Sequence, residues 1–415
     1  MTRQVGGDHL KMLREPRQQI AKRMRGRARA VNQQTHRALT RLLHVPAQAG
    51  GFDETTMCAV RPVRAITIPV RCLQSAQKQC PSSTMRSMIR RLFSILAGTL
   101  ALLAILYISG PVYELDTRTQ TPDIPAEPAA LERWLADGET RLGDVVTGAE
   151  KTIRWAHEDR RRTPIALVYL HGYTATRQEV DPLCDELAAA LGANIYYTRL
   201  AGHGRNPATM GEVTGNEWLQ DARDALEIGR RIGERVIIIG TSTGGTLALW
   251  LAQQPQAAAI AAQVLISPNL GPRASQSELL TGPWGAALLS LLVGDEYRWT
   301  PANAEHARYW TWRYPSRALL PMMAVVRTVR DSALENIGTP TLVLYSPDDR
   351  VVSTAKIIEA HERLGAKIKP LIAIEGSQDP SRHVLAGRIL AARDTARVRG
   401  NIIDFFGELD LTGAP

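Results

Sequence analysis

A mostly parallel β-sheet covered by helices on both faces is the fold that this 415-residue sequence predicts, and three observations predict it. Apolar runs of strand length alternate with amphipathic helical stretches through the C-terminal part of the chain. One of those runs ends in a small-residue turn around a serine and resumes as a helix, which leaves a hydroxyl exposed at a strand's carboxyl end. Upstream, no charge interrupts the 21 residues from Phe93 to Tyr113, so a membrane helix is expected ahead of the sheet.

Residues 1–84 are rich in arginine, poor in aromatics and without a sustained period, the composition of a disordered basic arm. Formal net charge is +9, but residues 1–92 carry +14 and residues 93–415 carry −5. The positive charge that would suggest nucleic acid therefore belongs to the arm, and no nucleic-acid partner is expected. Two readings of the arm stand: a polybasic segment on an anionic surface, or sequence upstream of a translation start at Met85 or Met88. The second is favoured, because either start places a short basic region directly before the apolar run. Cys58, Cys72 and Cys80 lie in the arm without zinc-like spacing, which leaves Cys184 alone in the remainder and no disulfide within the main domain.

Residues 85–113 read as a signal anchor. A helix over the 21 uncharged residues spans roughly 31 Å, the thickness of a bilayer core. Arg86, Arg90 and Arg91 precede it while Glu114 and Asp116 follow, which places the N-terminus in the cytoplasm and the C-terminal domain on the extracytoplasmic side. A cleaved signal peptide, giving a secreted enzyme, is the rival. It is disfavoured because Ile108 occupies the −3 position before Gly110 and Pro111 follows. Residues 114–130, with three prolines, read as a linker lifting the domain off the membrane, and the folded domain as 131–415.

Within that domain the predicted strands are "IALVYL" from Ile165, "NIYYTRL" from Asn194, "RVIIIG" from Arg235, "AQVLIS" from Ala262, "TLVLY" from Thr341 and "PLIAIEG" from Pro370. Helical patterns run from Glu179 and from Asn216 between them. Ligands bind beyond the carboxyl ends of such strands. There "GTSTG", Gly240 to Gly244, fits GxSxG between strand and helix, so Ser242 is the candidate nucleophile. The first free N–H groups of the helix sit beside it.

A serine hydroxyl needs a base, and the base an orienting carboxylate, in the chain order Ser, acid, His. His361 falls in a helical pattern; His383, in a loop after the last strand, is the candidate base. Asp349 in "SPDDRVV" is the chosen acid, with its neighbour Asp348 a turn residue and Asp379 an alternative four residues before the histidine.

Taken in order, "VYLHGYTAT", "LAGHGRNP", "IIGTSTGG", "LVLYSPDDRVV" and "SRHVL" resemble the α/β-hydrolase superfamily, especially its monoacylglycerol lipase and lysophospholipase-like serine hydrolases, over residues 131–410. The resemblance implies an α/β-hydrolase fold with a helical cap, here about residues 271–337. It also implies oxyanion N–H groups on Tyr173 and Thr243, structural roles for His171 and His203, and no metal or organic cofactor. Ser346 in the acid loop and Arg382 before the base depart from the usual pattern without removing a reacting group. The expected cap holds Trp284, Trp299, Trp310 and Trp312, half of the chain's tryptophans, which favours an apolar acyl substrate. The expected activity is hydrolysis of carboxylic esters of apolar acyl groups through an acyl-enzyme, on a small-molecule ester or lipid. Peptidase or thioesterase chemistry on the same triad, and a catalytically idle membrane-tethered binding protein, are the alternatives.

Overall fold

The computed structural model describes residues 83–411, and the basic arm assigned to residues 1–84 lies outside them but for its last two. Helix α1, Ser83–Ile108, comes first. It stops short of the expected end at Tyr113, since Pro111 cannot continue a helix and disfavours helical backbone at Gly110. From Met85 to Ile108 it is long and apolar enough to cross a membrane, with a mean hydropathy of 2.0. Helix α2, Pro128–Leu142, begins where the Glu127 carboxylate accepts the Ala129 and Ala130 N–H groups, and ends at Gly143 with φ 74°.

The alternation then follows the prediction: β1 (Thr152–Arg154), β2 (Thr163–Leu170), α3 (Leu183–Leu191), β3 (Asn194–Tyr197), α4 (Gly215–Ile232), β4 (Gly233–Thr241), α5 (Thr243–Leu251) and β5 (Ile260–Ile266). After an insertion come β8 (Thr341–Tyr345), α9 (Thr354–Arg363), β9 (Leu371–Ala373) and α10 (Thr395–Glu408). Strand order is β1-β3-β2-β4-β5-β8-β9, parallel throughout except for β1 against β3. β4, which leads to Ser242, is central.

Both faces of β4 are covered, which is why its sequence reads as one apolar run rather than an alternation. Val236 and Ile238 enter one core with Trp218 and Leu226 of α4; Ile237 and Ile239 enter the other with Leu183 of α3 and Phe406 of α10. Each such side chain contributes about 1.5–3 kcal/mol on full burial. α4 starts at a capping box, Thr214 with Glu217, and lies so close to the sheet that a Cβ on Gly229 would stand 2.7 Å from Val168.

Three features add to the expected layout. The 114–130 segment runs along α4: Gln120 exchanges hydrogen bonds with Gln220, Asn216 donates to the Asp116 carbonyl and Arg223 to Thr119. The insertion carries a strand pair beside its helices. Between α6 (Gly285–Leu292) and α8 (Leu319–Arg330) it holds α7 (Ala304–Tyr309) and an antiparallel pair, β6 (Glu296–Arg298) with β7 (Arg313–Pro315). Finally, α8 buries Met322, Met323, Val325, Val326 and Val329 in the same core as α4 and α5, so it covers the sheet and the cap ends before it.

Candidate active site

Strand β4 delivers Ser242 into a turn that only small neighbours permit. Ser242 has φ 51° and ψ −116°, a left-handed strained position for a residue with a side chain. A Cβ on Gly240 would collide with the Gly244 carbonyl, and one on Gly244 would overlap the Leu170 carbonyl at the end of β2. The Ser242 N–H donates to the Ile266 carbonyl (2.9 Å), and the Ser242 carbonyl accepts from Gly245 and Asn269 at 2.9 Å each. Ser242 is 6% exposed, which leaves it at the floor of the site.

Asp349 and His383 meet directly. Past β8, Asp349 is buried; its Oδ1 accepts the Val351 and Val352 N–H groups at 2.7 and 2.9 Å, and its Oδ2 lies 2.7 Å from His383 Nδ1. That bond assigns Nδ1 as the donor and leaves Nε2 facing away from the carboxylate. Burial favours the neutral ring, yet Asp349, with Asp379 and Glu179, lifts the His383 pKa above its ordinary 6.5. Asp379 is not the orienting acid: its Oδ2 accepts the backbone N–H groups of His383 and Val384 at 2.9 Å each, which pins the histidine loop. Asp348 is exposed, and His361 Nε2 bonds the Lys369 carbonyl within helix packing.

Ser242 reaches the same strand ends through backbone neighbours. Ile266, which takes its N–H, is followed by Ser267, and the Ser267 hydroxyl donates to the His383 carbonyl at 2.8 Å. Among the described residues the Ser242 hydroxyl makes no hydrogen bond, so of the two links of the expected triad the one between His383 and Asp349 is closed and the one to Ser242 is not. The N–H groups of Tyr173 and Thr243 also find no acceptor among the described residues. Tyr173 is fixed by edge-to-face contacts with Trp218 and with Tyr314 of β7. His171 and His203 are held by backbone, His171 Nε2 accepting the Leu200 N–H at 3.0 Å and His203 Nδ1 bonding the Ala201 carbonyl at 3.0 Å. Burial keeps both neutral, His171 well below the usual range and His203 at about 4.

With this geometry in view, a family described as serine aminopeptidase, S33 (Hydrolase_4) matches residues 162–378, more than half of the chain. The chain belongs to this family. As an S33-family member it is an α/β-hydrolase, similar to the thermostable monoacylglycerol lipase of Bacillus sp. (strain H-257), with 24% identity over 215 residues covering 52% of this chain and 82% of that protein. A solved structure described for LipS and LipT, two metagenome-derived lipolytic enzymes, shares the fold at a TM-score of 0.53 and 22% identity, covering 64% of this chain and 99% of that one.

Sequence reasoning missed one carboxyl in this S33-family site. Glu179 is 2% exposed; its Oε1 accepts the Gly172 N–H at 2.5 Å and the Tyr169 hydroxyl at 2.7 Å. Burial pushes its pKa up to about 7 against the pull of those two donors. A Cβ on Gly172 would stand 3.0 Å from Glu179 Oε2 and 3.3 Å from the Ser242 Cβ, so the carboxyl lies beside the turn that carries Ser242. The helical pattern beginning at Glu179 concealed it, because the α-helix starts only at Leu183. Trp310 of the cap packs with Ala175 of the Tyr173 loop and Val384 next to His383.

Proposed function

We propose that the chain is a membrane-anchored serine hydrolase that cleaves carboxylic esters of apolar acyl groups. The observation that carries this reading is the 2.7 Å bond from His383 Nδ1 to the buried Asp349, at the strand edge where Ser242 stands in its left-handed turn. His383 Nε2 takes the Ser242 proton as Oγ bonds to the ester carbonyl carbon, and the Tyr173 and Thr243 N–H groups receive the oxyanion. The carbonyl re-forms, the C–O bond to the alcohol breaks, and His383 returns the proton to the leaving oxygen. Water, deprotonated by the same imidazole, then releases the acid from Ser242. The reaction as written uses no metal or cofactor.

An apolar acyl group suits Trp310, which joins the cap to both catalytic loops, and accords with the lipolytic relatives. The family description favours a second reading, aminopeptidase activity. That chemistry needs an anion for the substrate's ammonium, and both Glu179 and Asp379 are already engaged by protein donors. Fluorophosphonate labelling of the full chain, followed by an ester chain-length series against aminoacyl amides, tests the proposal. Labelling lost in Ser242→Ala, with long-chain esters preferred, is the expected result. Preference for aminoacyl amides supports the peptidase reading, and a folded chain that never labels supports an idle binding protein.

We infer that α1 anchors the domain with the basic residues Arg86, Arg90 and Arg91 on the cytoplasmic side and the site on the other.

A further inference from the structure

The cap carries an apolar surface that the chemistry does not use. From Leu279 to Gly294 the sequence has no charged residue. In the fold, Leu291 is 80% exposed, Leu292 71% and Leu279 50%, while within α6 only Gly285 and Leu289 are buried. Single exposed leucines need no explanation, but a contiguous set on one short helix and its flanks does.

This patch starts where α1 ends. The Trp284 indole N–H donates to the Leu106 carbonyl (3.0 Å) in the last turn of α1, and the Trp284 backbone N–H donates to the Pro111 carbonyl (2.9 Å). A Cβ on Gly110 would overlap that indole, so the glycine makes room for it. Beyond the junction, Tyr113 and Leu115 line a cavity of about 320 Å³ with Leu280 and Thr281 of the cap, and Arg327 and Asp331 at the end of α8 close its polar side. From Met85 to Ile108 the side chains of α1 are themselves exposed, as a lipid-facing helix requires.

We propose that α6 and its flanks form a second membrane contact, embedded in the interface of the bilayer that α1 crosses, with Trp284 as the strut between anchor and cap. The proposal rests on the reading of α1 as a membrane helix. Lipid is the occupant because the uncharged stretch from Leu279 to Gly294 meets the end of α1 directly at Trp284, because an indole at that junction suits the headgroup level, and because Arg327, which donates to the Thr281 carbonyl at the edge of the patch, suits the same level. The cap of a lipid hydrolase held in this way meets its substrate where the substrate resides.

The test uses the full chain with its four native cysteines replaced and a single NBD-labelled cysteine at Leu291, Leu100 or Arg393, reconstituted in phosphatidylcholine–phosphatidylglycerol vesicles containing doxyl lipids. Quenching at 291 and 100 but not at 393 is expected. Quenching at 100 without quenching at 291 overturns the cap contact and leaves the anchor standing. No quenching at 100 overturns the anchor and the proposal with it. Shielding at 291 together with cross-linking between copies makes the patch a chain–chain interface and also overturns the proposal. In the native-cysteine background, Leu291→Ser with Leu292→Ser should lower hydrolysis of a vesicle-held ester by roughly tenfold and leave a water-soluble short-chain ester unchanged. Equal rates on the vesicle ester would contradict the inference.

Discussion

In the proposed mechanism His383 must be neutral to accept the Ser242 proton, and Asp349 lifts its pKa above 6.5. The kcat/KM profile should therefore rise with pH through an inflection above 6.5. Asp349→Asn should move that inflection down and reduce turnover by about 10⁴-fold, because the ring loses its tautomer and its counter-charge. Glu179 makes a separate prediction for stability. Its carboxyl sits at 4.5 ordinarily and about 7 in the fold, so the folded state prefers the protonated form. That contribution is fully present below pH 4.5 and is lost as pH rises through 7, amounting to about 3 kcal/mol. Unfolding followed at pH 5 and pH 8 should show the decline in the native chain, and Glu179→Gln should flatten it.

Helix α2 is docked by Leu131 and Leu135 in the core and by a buried ion pair. Arg199, 4% exposed, bonds Glu139 at 2.6 and 2.9 Å across the end of β3. Glu139→Ala leaves the guanidinium buried and uncompensated, at a cost of about 3–5 kcal/mol, whereas Glu139→Leu with Arg199→Met should recover most of it. Thermal unfolding of the two variants separates these outcomes. Elements of this size divided sharply in how far the sequence disclosed them. β2, β4, β5 and β8 announced themselves because both faces are covered and their runs are unbroken. β1, β6 and β7 did not, since three residues are too few for an alternation to be read. α8 was assigned to the cap for lack of any local mark: its burial against α5 comes from tertiary packing, not from its own period. Of the site, the serine turn and the histidine–aspartate pairing were legible from chain order and small residues. Glu179 was not, and Asp379 was noticed as an alternative acid but not as the clamp on the histidine loop, because a carboxyl that accepts backbone N–H groups has the same letter as a solvated one.

On the scale of the whole molecule, α1 should keep the chain in the membrane pellet after alkaline carbonate washing, and protease added from the extracytoplasmic side should reach residues 114–411. Release by the wash would contradict the anchor. The proposed attachment to a bilayer also changes what the sheet must withstand. Chains confined to a plane encounter one another side-on at high local density, the arrangement in which an open sheet border recruits a neighbour's backbone. Here both borders, β1 and β9, are three residues long. So brief a row of unpaired amides gives an intruding strand little to grip, which guards a crowded, tethered population against edge-to-edge aggregation.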